Sequence, residues 1–214
     1  MTTVINDFEK RASEIKLYFK LLERVVEEEA CLYLPEKRTH KYIEFDSELQ
    51  KVMKTNMFLL LYNLAESSIK QSLSEVYDTV SAESVKYNDV KEEIQKIWID
   101  TNYKNFNQMG TNRIHEVINN ILEDVIEVEF DASKKISGNI DGRKIKEFAE
   151  QIGFSTKAHH SLNEGVRLHQ VKTQRNKLAH GDLSFAECGR NYTIPDLRVL
   201  QSSCQIFETN IVEY

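Results

Sequence analysis

The feature that most constrains this 214-residue chain is the run Met57-Phe58-Leu59-Leu60-Leu61-Tyr62. It lies at the centre of a helical pattern over residues 48–80 and is apolar nearly all round. A helix without a polar face must be enclosed by other helices. Ser47 and Gln50 form a capping-box candidate at its start, and Ser72 to Ser74 mark a candidate break. Asn56, Asn63, Glu66 and Lys70 interrupt the apolar pattern at helical spacing and form one polar stripe. A mostly buried helix must pair its polar groups, a carboxylate above all. Glu66 therefore either orients a cation on another helix, or faces solvent and pairs with Lys70 four residues on.

The remaining segments supply that enclosure. Residues 4–34 read as a first long helix, with Phe8, Ala12, Ile15, Phe19, Leu22, Val26 and Ala30 at three- and four-residue spacing and Pro35 as its end. Residues 36–45 read as a connector, extended at 42–45. After a polar connector at 81–88, helices are expected over 89–102, with Ile94, Ile97 and the core residue Trp98, and over 113–125. In the second of these, Ile114, Val117, Ile118, Ile121 and Leu122 should point inward. Residues 127–140 alternate weakly, and 141–152 read as a helix closed by Gly153. Ser161 and Glu164 form a second capping box, opening a helix that runs to about His180. Residues 182–192 read as a loop. The last helix starts at Thr193-Ile194-Pro195-Asp196 and carries Leu197, Leu200, Cys204, Phe207 and Ile211 inward. The expected fold is all-α: an antiparallel bundle of the first two and last two helices, with the elements between residues 81 and 154 inserted as an elaboration.

Two prolines and seven glycines in the whole chain suit long helices. No apolar run approaches the roughly 18 residues of a membrane span. The first residues lack the basic and apolar regions of a signal peptide, so a cytoplasmic protein without membrane contact is expected. Cys31, Cys188 and Cys204 are widely spaced and read as free thiols, with no zinc pattern. His159-His160 has no ligand cluster around it, so neither a metal nor another cofactor is expected. The formal net charge is −6. Against that background, residues 165–181 hold Arg167, Lys172, Arg175 and Lys177 and no acidic residue. This is the strongest local positive segment and the candidate RNA-binding surface.

Within it, Arg175 and His180 form an R-x4-H pair, with Asn176 beside the arginine and Gly181 after the histidine. An arginine presents a fork of donors to phosphate, and a histidine gives or takes a proton near neutral pH. That pair suffices to cleave RNA without metal: the 2′-oxygen loses its proton and attacks the adjacent phosphate, and the leaving 5′-oxygen is protonated. On a straight helix, positions five apart point about 140° away from each other. Gly181 offers a helix end at His180, where the chain turns. The same residues also fit a plainer arrangement, with His180 capping a carbonyl and Arg175 in a surface ion pair.

The stretch Gln174-Arg175-Asn176-Lys177-Leu178-Ala179-His180-Gly181 resembles the R-x(4–6)-H motif of the HEPN superfamily, the helical domains of prokaryotic RNase toxins and phage-defence nucleases. Leu183-Ser184-Phe185, Gly189-Arg190-Asn191-Tyr192-Thr193, Asp196-Leu197 and the upstream Ser137-Gly138-Asn139-Ile140-Asp141 extend the resemblance over most of the chain. It implies one HEPN-like helical domain over residues 1–214, with Arg175, Asn176 and His180 catalytic and Glu66 supporting Arg175. It implies a homodimer with two motifs facing one cleft, RNA as substrate, and an antitoxin or nucleotidyltransferase as possible partner in toxin–antitoxin or antiviral defence systems. The alternative within the same superfamily is a non-catalytic module that binds RNA, a nucleotide or a partner protein.

Overall fold

A computed structural model describes residues 2–35, 40–103, 108–123, 143, 146, 147, 150 and 162–212. Helix α1 (Thr2–Val26) is followed by a two-stranded antiparallel ribbon of β1 (Leu32–Pro35) and β2 (His40–Ile43). Then come α2 (Ser47–Ala82), a 3-10 turn (Tyr87–Asp89), α3 (Glu92–Asn102) and α4 (Thr111–Leu122). The chain closes with α5 (Leu162–His180), the short α6 (Phe185–Arg190) and α7 (Ile194–Val212). The fold is all-α apart from the ribbon.

Helix α2 is the centre. Its 36 residues span about 54 Å at the ordinary helical rise, and α1, α5, α6 and α7 all pack on it. Met57, Phe58, Leu61 and Tyr62 have no exposed surface. The candidate break near Ser72 does not occur. Ser74 donates its hydroxyl to Asp78 Oδ2 at 3.3 Å, and the Ser72 hydroxyl is buried with no hydrogen-bond partner among the described residues. Leu73 and Tyr77 keep its buried face running past the serines. The N-cap is Asp46 and not Ser47: its carboxylate accepts from the Leu49 amide at 2.8 Å. Gln50 turns back to donate to the Phe45 carbonyl.

Helix α1 buries Val4, Phe8, Ala12, Ile15, Phe19, Leu22 and Val25 but stops at Val26, eight residues short of the expected end. Glu27-Glu28-Glu29 follows, and three carboxylates at a helix C-terminus oppose the macrodipole. Glu29 takes a positive φ of 53°, and the Ala30 amide reaches back to the Arg24 carbonyl. Residues 32–34, expected as helix, are strand instead, and the strand extends through Pro35.

Helix α3 lies within its expected range, and α4 overlaps its own but begins before Arg113 and ends before Val125. Ile94, Ile97 and Trp98 join the same buried cluster as α2. On α4 only Val117 is buried, and Ile118 and Leu122, expected inward, are exposed. The weak alternation at 127–140, most of the 141–152 helix, His159-His160 and the Ser161 capping box lie outside the described residues. Arg143, Lys146, Glu147 and Glu150 are helical.

The 182–192 loop reading is overturned by α6. Ser184 is its N-cap, and Glu187 completes a reciprocal capping box. The Ser184 hydroxyl and amide hold the Glu187 carboxyl below the usual carboxylate range. Three contacts lock α6 and its exit onto α2. Thr55 Oγ1 donates to the Phe185 carbonyl at 2.6 Å, Lys54 Nζ donates to the Tyr192 carbonyl at 2.7 Å, and the Phe58 and Tyr192 rings lie 4.6 Å apart. Gly189 makes this approach possible, since a Cβ there would sit 1.9 Å from the Lys51 carbonyl oxygen. At the start of α7, Thr193 and Asp196 repeat the reciprocal cap.

Gly189→Ala should therefore destabilise the protein by about 3 kcal/mol, the upper range for overpacking, because backbone meets backbone. Ser184→Ala, which removes only a cap, should cost about 1 kcal/mol. Urea unfolding followed by circular dichroism measures both. An unchanged midpoint for Gly189→Ala would show that α6 does not pack on Lys51 as described.

Candidate functional site

The motif helix α5 turns Leu168, Val171 and Leu178 into the core, which fixes its rotation. With those residues inward, Arg175 falls on the edge that faces α2. Its guanidinium carbon lies 4.4 Å from the centroid of the Tyr62 ring, within cation–π range. Nη1 donates to Asn176 Oδ1 at 3.0 Å, and Nη2 is 3.9 Å from Glu66 Oε2. Tyr62 and Glu66 are one turn apart on α2, so a single face of that helix supplies both the platform and the counter-charge. About a third of the Arg175 side chain remains exposed, at 32%.

Glu66 satisfies both readings open to it. Lys70 Nζ binds its Oε1 at 2.6 Å, while Arg175 approaches its Oε2 at 3.9 Å. The shorter contact is the one along the helix. The carboxylate, 16% exposed, bridges an intrahelical lysine and the arginine of the motif. Tyr62 was not singled out in the sequence except as core. The signal for it was the Tyr62–Glu66 spacing, which puts an aromatic face beside a carboxylate on the helix that α5 must cross.

His180 is the last residue of α5 and is exposed. The turn after it is a Schellman motif: the Asp182 amide donates to the Lys177 carbonyl at 2.9 Å and the Gly181 amide to Leu178 at 3.3 Å. Gly181 has the positive φ of 76° that this motif requires. Because the helix stays regular through His180, the two positions lie about 140° apart around its axis, and no hydrogen bond or ion pair joins their side chains. Among the described residues, no hydrogen bond or ion pair engages the imidazole.

The other basic residues spread around α5. Arg167, Lys172 and Lys177 are spaced by five, and each step turns about 140°. Arg167 donates to Ser203 on α7 and lines a cavity of about 360 Å³ with Gln170, Asn191, Tyr192 and Asp196. Lys172 is half-buried and Lys177 is exposed in the last turn. The apolar residues nearest the motif are spent inside the chain: Leu178 is buried, and Leu183 and Phe185 pack against the core. Cys188 lies beneath the motif, 3.9 Å from Gln174 Oε1, and burial pushes its thiol up, which leaves it a poor nucleophile.

Chemically, this arrangement offers an anchored, half-exposed guanidinium and an unengaged imidazole on different sides of one helix end. No group of three or more His, Cys, Asp or Glu placed to hold a metal occurs among the described residues. No helix among them is long and apolar enough to cross a membrane. The family model described as HEPN_MAE_28990-like HEPN matches residues 1–214. No curated protein and no solved structure matches the chain.

The two glycines of α5 and its turn should respond oppositely to alanine. Gly181→Ala forces a side chain into the left-handed region and should cost about 1 kcal/mol. Gly165→Ala, in a helix with open space around its Cβ position, should gain about 0.5–1 kcal/mol. Chemical denaturation of both variants tests this, and a stabilising Gly181→Ala would be incompatible with the Schellman turn.

Proposed function

From the premise that the chain belongs to the HEPN_MAE_28990-like HEPN family, we propose that it is a metal-independent endoribonuclease cleaving RNA by attack of the 2′-oxygen. The observation that carries this reading is Arg175, held over the Tyr62 ring between Asn176 and Glu66 with a third of its side chain open. An arginine kept only for a surface ion pair has no need of an aromatic platform. Preorganised in this way, it stabilises charge on the phosphoryl oxygens at little reorganisation cost. His180 moves the protons. Arg167, Lys172 and Lys177 supply the surrounding positive field for RNA. Such an enzyme fits the role of a toxin held by an antitoxin, or of a phage-defence effector.

The separation of Arg175 from His180 within one chain bears on the mechanism. One imidazole would have to act as base and acid in turn, at a distance from the arginine that orients the phosphate. A two-fold dimer that faces two α5 ends across a cleft supplies two arginines and two histidines, so that His180 of one copy serves Arg175 of the other. The interface would be isologous. The same separation also favours a second reading, a HEPN module that binds RNA, a nucleotide or a partner protein without cleaving.

Labelled RNA incubated with the protein in EDTA separates the two. Cleavage leaving cyclic-phosphate ends is expected, with a 10²–10⁴-fold loss in His180→Ala and a severe loss in Arg175→Lys, which keeps the charge but not the planar fork. Full activity of folded His180→Ala would remove the histidine from the mechanism. Binding without cleavage by the unmutated protein would favour the module.

Mass by light scattering and specific activity over a dilution series test the shared cleft. Activity should fall as the dimer dissociates, and a fully active monomer would refute the mechanism in which the two copies exchange catalytic groups.

A further inference from the structure

Cleavage by 2′-oxygen attack moves two protons: one leaves the 2′-hydroxyl and one joins the departing 5′-oxygen. His180, about 140° around α5 from Arg175, is poorly placed for the first if Arg175 holds the phosphate. The groups around the guanidinium include a nearer proton acceptor. Asn176 is an amide and exchanges no proton, and Tyr62 has no exposed surface. Glu66 remains, and its two carboxylate oxygens are not equivalent. Oε1 accepts from Lys70 Nζ at 2.6 Å. Oε2 lies 3.9 Å from Arg175 Nη2, close enough for an ion pair but too far for a hydrogen bond. Among the described residues no donor reaches Oε2. It is also open to solvent, because the Ser72 hydroxyl is the one side-chain polar atom there that is both buried and unpartnered. An accessible carboxylate oxygen with no hydrogen bond thus stands at the edge of the guanidinium.

We propose that Glu66 is the general base of the cleavage and takes the 2′-proton at Oε2. The 3.9 Å gap leaves both groups available to substrate. Nη2 donates to a phosphoryl oxygen while Oε2 accepts from the ribose 2′-hydroxyl beside it. As the proton passes to Oε2, the 2′-oxygen bonds to phosphorus and the bond from phosphorus to the 5′-oxygen breaks. The 5′-oxygen leaves with a proton from the His180 imidazolium, which belongs to the second copy in the shared cleft. The products are a 2′,3′-cyclic phosphate and a 5′-hydroxyl, and exchange with water strips Glu66 and recharges the imidazole. Lys70 is then a positioning residue. Held at Oε1, it leaves Oε2 as the oxygen nearer α5 and offsets the negative charge that would repel the phosphate. Dividing the two transfers between a carboxylate and an imidazole means that one histidine need not be base and acid in turn. The role of Glu66 as base rests on the endoribonuclease reading; its contact with Arg175 does not.

The test separates base from acid through the leaving group. The cut is mapped on a labelled RNA, and a second RNA of the same sequence carries sulfur in place of the 5′-oxygen at that bond. A thiolate leaves without a proton, so with this substrate the acid is dispensable and the base is not. Glu66→Gln should cleave both RNAs about 10²–10⁴-fold more slowly than the unmutated protein. His180→Ala should show such a loss on the oxygen RNA and recover most of it on the sulfur RNA. Glu66→Gln should bind a 2′-O-methyl RNA, which has no 2′-proton to lose, at least as tightly as the unmutated protein. Weakened binding that accounts for its whole loss of rate would reduce Glu66 to a support for Arg175 and overturn the proposal. Near-normal cleavage by folded Glu66→Gln overturns it too, as does recovery on the sulfur RNA by Glu66→Gln in place of His180→Ala. Glu66→Asp, which keeps a carboxylate one bond shorter, should retain more activity than Glu66→Gln on both RNAs, and an aspartate variant no better than glutamine counts against the base. An unmutated protein that cleaves neither RNA removes the enzyme and this role with it. One that cleaves while Glu66→Gln is unimpaired removes only the role.

Discussion

The burial of α2 is the constraint on which the rest of the structure depends. With Met57, Phe58, Leu61 and Tyr62 all fully covered, that helix cannot lie on a surface, and α1, α5, α6 and α7 must surround it. The enclosure is not uniform, because Asn56, Asn63, Glu66 and Lys70 follow one line along the helix. Asn63 is exposed and the other three are half-buried. Where that line passes beside α5, a carboxylate and a buried aromatic ring stand one turn apart. The arginine of the motif occupies that notch. Core and candidate site are thus two sides of one helix, and Tyr62 belongs to both: its ring fills the interior and its face carries Arg175.

How far the sequence reveals this depends on the range over which each signal acts. Helices α1, α2 and α7 were legible because apolar periodicity accumulates over many turns. The end of α1 was misread because Pro35 is a strong breaker, whereas three glutamates and a left-handed Glu29 are a weaker signal that acts earlier in the chain. Helix α6 is too short to show a period, yet Ser184 and Glu187 stood in capping-box spacing. That local signal deserved more weight than the polar residues around it. The ribbon was illegible for a different reason. Strand pairing is a relation between two segments, and nothing in Leu32-Tyr33-Leu34 alone distinguishes a strand from the tail of an apolar helix until Tyr42 is placed opposite Tyr33.

The same distinction applies to the site. Arg175, Asn176, His180 and Gly181 could be picked out from spacing within one segment, and the helix end at His180 follows from Gly181 alone. What lies across from them could not be read in the same way. Glu66 was found through a rule about buried carboxylates, which leaves the identity of the partner open, and both of its candidate partners contact it. The basic residues show the limit of one-dimensional charge. Four cations in seventeen residues look like a patch, but steps of five positions distribute Arg167, Lys172 and Lys177 around the helix.

A regular helix that ends at the histidine of the motif carries an implication for assembly. If α5 were kinked before His180, the imidazole could approach Arg175 and one chain could contain the whole reaction. The Schellman turn prevents this, because it keeps the hydrogen-bonded ladder intact up to Lys177 and Leu178 and places the change of direction after the histidine. The two positions thereby stay about 140° apart around the helix, and no hydrogen bond or ion pair engages the imidazole among the described residues. An exposed imidazole at a helix C-terminus, beside exposed Lys177 and next to a glycine turn, is well placed to meet something outside its own chain. In the proposed mechanism that something is a phosphate already gripped by the Arg175 of a second copy. In that proposed mechanism, the local capping geometry at Gly181 is what would make the activity a property of the pair.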